Sequence, residues 1–191
     1  MKPSCNFYEL SQKGLIKEAS FLKSTNFDAR PKDKLIKMVV IHSISLPPNK
    51  FGGTFIEDFF TNKLKIKDNP YFETIKELKV SSHFLIKRNG ELMQFVSCND
   101  RAWHAGESNW KNNFNCNDFS IGIELEGSDL TPFENIQYMK LINLLKCLCN
   151  NYPINAIVGH NQIAPERKTD PGPHFDWDLL NAENFYDSEI T

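Results

Sequence analysis

With 191 residues, 40% of them hydrophobic and 24% charged, the chain has the size and composition of one soluble globular domain with a buried core. A formal net charge of −2 gives no bulk electrostatic case for nucleic acid or an anionic membrane surface as a partner. Residues 1–23 lack the apolar segment of a secretory signal, and no run approaches the ~20 apolar residues of a membrane span, so a cytoplasmic location is expected.

Residues 1–33 read as an irregular lead-in to a single domain over 1–191, ending in the charged turn Arg30-Pro31-Lys32-Asp33. Residues 35–41 are rich in β-branched side chains and predict a buried strand that runs directly into His42. Pro47-Pro48 and Gly52-Gly53 mark a loop over 46–53. Thr54 and Glu57 have capping-box spacing, and Phe55, Phe59 and Phe60 recur near helical period, which predicts a short helix. Residues 63–70 read as a polar loop. Two β-compatible runs flank Asn89-Gly90 within 82–96, the pattern of a hairpin closed by a two-residue type I′ turn with positive φ at both central positions.

Residues 119–126 alternate with period two. Phe119, Ile121, Ile123 and Leu125 share an apolar face. Ser120, Gly122, Glu124 and Glu126 share a polar one, which is either solvent-exposed or the floor of a site, with Gly122 clearing space. Thr131 as N-cap, Pro132 and Glu134 open the strongest helix, whose stripe is Tyr138, Leu141, Ile142, Leu145 and Leu148. A short buried strand at 156–158 stops at Gly159-His160, followed by a long loop over 161–173 and a short helix around Trp177. The expected fold is mixed α/β, a central β-sheet flanked by helices. Cys5, Cys98, Cys116, Cys147 and Cys149 are scattered rather than framed for disulfides, and Cys147 and Cys149 at i, i+2 of a helix make a poor chelate.

Two strands thus end in histidine, His42 and His160, and Asp170 follows His160 within one loop. Two imidazoles and a carboxylate form a three-ligand zinc set that leaves a coordination position for water. By spacing alone these histidines could equally be satisfied core or loop residues, and no dense motif such as His-Glu-x-x-His is present. Glu124 and Glu126 share one strand face, so spacing does not choose between them. His83 reads as a packing or polar-network residue, and Glu166 and Arg167 as a solvated loop pair.

Five blocks carry a more specific signal: residues 40–48, 51–53, 101–106 (RAWHAG), 117–127 (NDFSIGIELEG) and 159–173 (GHNQIAPERKTDPGP). Together, in order over roughly 30–180, they resemble the AmpD-type 1,6-anhydro-N-acetylmuramyl-L-alanine amidases, relatives of phage amidases and peptidoglycan recognition proteins. The resemblance implies zinc held by His42, His160 and Asp170 in a groove at strand ends. It implies Glu124 as general base and acid, and Lys168 as stabiliser of the oxyanion. The implied partner is a muropeptide carrying an anhydro-muramyl sugar, and the implied reaction is hydrolysis of its bond to L-alanine during peptidoglycan recycling. Trp103 and His104 are expected to line the sugar or peptide pocket. Ser43 and Lys79 stand where the AmpD-type pattern carries Asn and Arg, and they too are expected near the ligand. The rival readings are a wall-degrading amidase of the lysin kind and a non-catalytic peptidoglycan-binding protein. A non-catalytic relative is expected to lose a zinc ligand, and all three are present.

Overall fold

The structure, a computed structural model, describes residues 8–183, 185 and 189–190. Its centre is a seven-stranded sheet built from β1 (Ser20–Phe21), β2 (Met38–Ile44), β3 (Phe84–Ile86), β4 (Leu92–Gln94), β5 (Ser120–Glu126), β6 (Ala156–Gly159) and β7 (Glu189–Ile190). The strands lie in the order β1-β4-β3-β5-β2-β6-β7. Every neighbouring pair is parallel except the β3–β4 hairpin. Helices α1 (Phe55–Phe60), α2 (Asn135–Asn151), α3 (His160–Ile163) and α4 (Trp177–Asn181) complete the mixed α/β architecture. No helix among the described residues is long and apolar enough to cross a membrane.

Period two along the central strands decides what faces what. β2 and β5 pair from Met38–Ser120 to Ile44–Glu126. Val39, Ile41, Ile121, Ile123 and Ile157 point to one face and pack with Tyr138, Leu141, Leu145 and Leu148 of α2. Each such buried side chain contributes roughly 1.5–3 kcal/mol relative to exposure, so this face anchors α2 to the sheet. The opposite face carries Met38, Val40 and Val158, packed against Ala105 and Cys116. Both faces are therefore covered, and β5 is buried at every position, as central parallel strands are.

Several local expectations are corrected. The strand expected over 35–41 starts at Met38 and continues to Ile44. The N–H groups of Lys37 and Met38 both donate to the Phe119 carbonyl, where the ladder begins, while Lys34 closes a turn onto Pro31 and Leu35 is left exposed. His42 consequently lies inside the strand. The hairpin forms, but its turn is not type I′. Gly90 has φ +84° and Asn89 is not left-handed. Lys87 N–H donates to Glu91 O and Gly90 N–H to Lys87 O, giving a three-residue loop ending in a left-handed glycine. The cause is tertiary: the Arg88 N–H is taken by the Glu126 carboxylate at 3.0 Å.

α1 forms without its capping box, because Glu57 turns inward to Lys87 (2.7 Å), while Thr54 Oγ1 donates to Asp58. α2 starts at Asn135 rather than Thr131. Thr131 bridges Ser128, and the Glu134 N–H donates to Gln137 Oε1 at 3.0 Å. The lead-in is not wholly irregular. Residues 20–21 form β1, and Phe27–Ala29 pairs antiparallel with Asp100–Ala102. Arg30 reaches beneath β5 and donates to Asn117 O (2.9 Å) and Ser120 O (2.6 Å). Cys5 lies outside the described residues.

Candidate active site

His42 and Glu124 are each the fifth residue of their strand, and the register sets them side by side. His160 follows β6 directly and opens α3. All three stand at the C-terminal ends of parallel strands, where diverging loops leave a groove. The groove holds about 640 Å³, with Ser43, His104, Glu124 and Lys168 among its lining residues and Tyr71, Leu78 and Leu130 also on its walls. Asp170 enters from the loop after α3. Its carbonyl accepts from Asn161 N–H (2.9 Å), and neighbouring Thr169 Oγ1 donates to Asp129 (2.7 Å). Gly172, at φ +88°, lets that loop turn against Asp129, where a Cβ would lie 2.3 Å from a carboxylate oxygen.

The donor atoms of the three expected ligands converge. His42 Nδ1 lies 2.9 Å from His160 Nδ1 and 3.1 Å from Asp170 Oδ2, and the third edge is 3.0 Å. This is the only group of three potential metal-binding side chains so arranged among the described residues. The other ring nitrogen of His160 faces the Ala105 carbonyl at 3.0 Å. A carbonyl only accepts, so Nε2 carries a hydrogen, and in the neutral ring Nδ1 then presents a lone pair to the cluster. Electron-rich atoms at this spacing repel unless a positive centre lies among them. Two imidazole nitrogens and a carboxylate oxygen are a donor set that zinc takes, so the residues fit such an ion. Burial, with His160 nearby, pulls His42 down to about 4, leaving it neutral near pH 7 as a metal ligand must be.

The two carboxylates of β5 differ in what they touch. Glu126 is engaged: its oxygens accept from Gly52 N–H (2.5 Å) and Arg88 N–H (3.0 Å), tying a groove-side loop and the hairpin turn to the sheet. Glu124 lines the groove, and its buried Oε2 has no hydrogen-bond partner among the described residues. Burial raises the Glu124 carboxyl well above its ordinary value, the charge of Asp170 adds to this, and the Lys168 ammonium opposes it.

The remaining expected residues separate. Ser43 lies on the groove wall. His104 does too, but its Nδ1 is 3.0 Å from His42 Nε2, so its ring is committed to a metal-cluster histidine. Half-buried Trp103 is not among the groove-lining residues; nor is Lys79, which donates to Asn62 Oδ1 at 3.4 Å. His83 sits in a buried polar network, Nδ1 accepting from Gly122 N–H and Nε2 facing Asp100 O. Arg167 is more than a solvated loop residue. Its Nη2 donates to the carbonyls of Ala105 (2.8 Å) and Glu107 (2.7 Å), pinning the loop that carries Lys168. Its place beside Lys168 was the one available signal, and it gave no hint of the carbonyls.

The sequence matches the N-acetylmuramoyl-L-alanine amidase family, Amidase_2, over residues 31–173, and the chain belongs to that family. Within it, the chain is 49% identical over 170 residues to the 1,6-anhydro-N-acetylmuramyl-L-alanine amidase AmpD of Haemophilus influenzae, spanning 87% of this chain and 92% of that protein. Its fold superimposes on the crystal structure of a selenomethionine AmpD derivative with a TM-score of 0.89 and 46% identity, covering 92% of this chain and 99% of that one. It is also similar to Escherichia coli AmiD, solved in complex with anhydro-N-acetylmuramic acid-L-Ala-D-γ-Glu-L-Lys, with a TM-score of 0.57 and 35% identity over 81% of this chain and 58% of that one.

Proposed function

We propose that this chain is a zinc-dependent amidase of the cytoplasm that hydrolyses the bond between 1,6-anhydro-N-acetylmuramic acid and L-alanine in soluble muropeptides, returning wall fragments for reuse. The observation that carries the reading is the His42–His160–Asp170 cluster lying in one groove with Glu124, whose buried Oε2 has no hydrogen-bond partner among the described residues. The name of the Haemophilus influenzae relative and the ligand in the Escherichia coli AmiD structure supply the substrate class.

In this reading His42, His160 and Asp170 hold the ion, and when bound it supplies Lewis acidity to the amide carbonyl and to the attacking water. Glu124 takes the proton of that water and delivers it to the leaving nitrogen of L-alanine. Its raised affinity for a proton suits both halves of the task. Lys168 brings positive charge to the oxygen on which negative charge develops. Ser43, on the groove wall, contacts sugar or peptide.

The test is kcat/KM for two muropeptides that differ only in the 1,6-anhydro bridge, alongside release of peptide from purified sacculi. The recycling role predicts a strong preference for the soluble anhydro form. Equal rates on the pair, or faster release from sacculi, would favour a wall-degrading amidase. No turnover of any of them would reject the enzyme reading.

A further inference from the structure

His104 touches His42 on the side away from the metal cluster, and the polarity of that contact can be traced atom by atom. The trace starts at the Cys116 carbonyl. Ser120 Oγ lies 2.6 Å from it, and since a carbonyl cannot donate, the single hydroxyl hydrogen of Ser120 lies between them. Ser120 Oγ is then only an acceptor toward His104 Nε2, at 3.2 Å, so Nε2 of His104 carries its hydrogen. In a neutral imidazole one nitrogen donates and the other accepts, so Nδ1 of His104 is the acceptor. It faces His42 Nε2 at 3.0 Å. His42 must donate there, which leaves His42 Nδ1 bare and directed at His160 and Asp170.

We propose that His104 is a positioning residue that, through Ser120 and the Cys116 carbonyl, locks His42 in the one tautomer able to present Nδ1 to the metal. The inference rests on the metal-site reading above. It redirects His104 from substrate recognition to support of the ligand.

The surroundings are built for this ring. His104 is 9% exposed and Ser120 fully buried. Asn117 Oδ1 accepts from the backbone N–H of both His104 (3.2 Å) and Ala105 (2.8 Å), fixing the segment that carries the ring. The same segment presents the Ala105 carbonyl that sets the tautomer of His160. One stretch of backbone thus orients both ligand imidazoles. Gly122 is the space in which the ring lies: a Cβ there would come within 2.5 Å of His104 Cγ. Partners of metal-bound histidines typically change metal affinity by about 10–100-fold when removed.

The experiment measures zinc affinity by chelator competition for the wild type, His104→Phe, His104→Asn and Ser120→Ala, and reads the His42 tautomer in the metal-free proteins from side-chain nitrogen NMR. His104→Phe should bind zinc about 10–100-fold more weakly. His104→Asn should recover part of the loss, because an amide oxygen can stand in for Nδ1 as acceptor. Ser120→Ala should weaken binding and let the hydrogen of His42 shift onto Nδ1. Equal affinity in the wild type and His104→Phe would overturn the proposal, as would a wild-type His42 that carries its hydrogen on Nδ1. His104→Asn binding no better than His104→Phe would do the same, because restoring an acceptor would then restore nothing. Should His104→Phe fail to fold, the wild-type tautomer and the Ser120→Ala affinity still decide. Absence of zinc uptake by the wild type would be a different failure, removing the metal-site reading itself.

Discussion

His42 and Glu124 are register partners on adjacent parallel strands, so an imidazole whose Nδ1 faces His160 and Asp170 and a buried carboxyl with one oxygen unpartnered among the described residues project side by side from one sheet face. The strand pairing sets their separation, and no loop has to be ordered to bring them together. His160 follows β6 directly, and Asp170 and Lys168 arrive on a single loop held by Asn161, Asp129 and Arg167.

The metal assignment predicts about one zinc per chain and its loss when the triangle is broken. His42→Ala, His160→Ala and Asp170→Ala should each strip most of it, with elemental analysis of the purified variants as the check. Full zinc in all three would remove the assignment.

The two carboxylates of β5 should separate by phenotype. Glu124→Gln should keep fold and zinc while kcat falls about 10²–10⁴-fold, the usual worth of a general acid–base group. Glu126→Gln should instead lower the melting temperature with a smaller effect on kcat, because its oxygens accept from two backbone N–H groups. A reversed pattern would mean that the wrong carboxylate has been assigned to chemistry. Lys168→Ala, read in the same assay, should lower kcat by roughly 10²–10³ with zinc retained.

Glu124 also predicts a pH dependence of stability in the metal-free protein. Its carboxyl is raised by burial, so the folded state keeps the proton to higher pH than the unfolded chain does. Above the ordinary value of 4.5 the folded state therefore binds more protons, and its stability falls as pH rises toward the raised value. Glu124→Gln should remove that fall. The variant should melt higher than wild type near neutral pH, and the difference should shrink as pH drops toward 4.5. Parallel melting curves at all pH values would contradict the buried, ionisable carboxyl.

Much of this is legible in the sequence. Alternation along 119–126 predicts a polar face, and that face carries Glu124 into the groove, with Gly122 clearing space for His104. The blocks around His42, His160 and Asp170 pointed to a ligand set whose donor atoms do converge. What the chain order hid were contacts made across sequence. Glu126 and Glu124 look alike until Gly52 and Arg88 claim one of them. The Asn89-Gly90 turn departs from type I′ because a tertiary acceptor, Glu126, captures the Arg88 N–H. Arg30 reads as part of a charged turn, yet it holds the carbonyls of Asn117 and Ser120. Trp103 lies in a matching block and Lys79 stands where the AmpD-type pattern carries Arg, yet neither is among the groove-lining residues.

Gly122→Ala offers a steric test of the floor. The added Cβ would meet the His104 ring rather than open space. Overpacking of this kind costs about 1–3 kcal/mol, so the melting temperature should fall and zinc binding should weaken with it. Unchanged values for both would show that the ring has room to move.

The most direct test is product analysis by mass spectrometry after incubating an anhydro-muropeptide with zinc-loaded protein in ¹⁸O-water. Hydrolysis of the proposed amide breaks its C–N bond, places the water oxygen in the lactyl carboxylate of the sugar and leaves a free amino group on L-alanine. The account predicts one ¹⁸O in the released anhydro-sugar acid, none in the peptide, and no products from chelator-treated protein. Label in the peptide, cleavage at any other bond, or full turnover after zinc removal would contradict it.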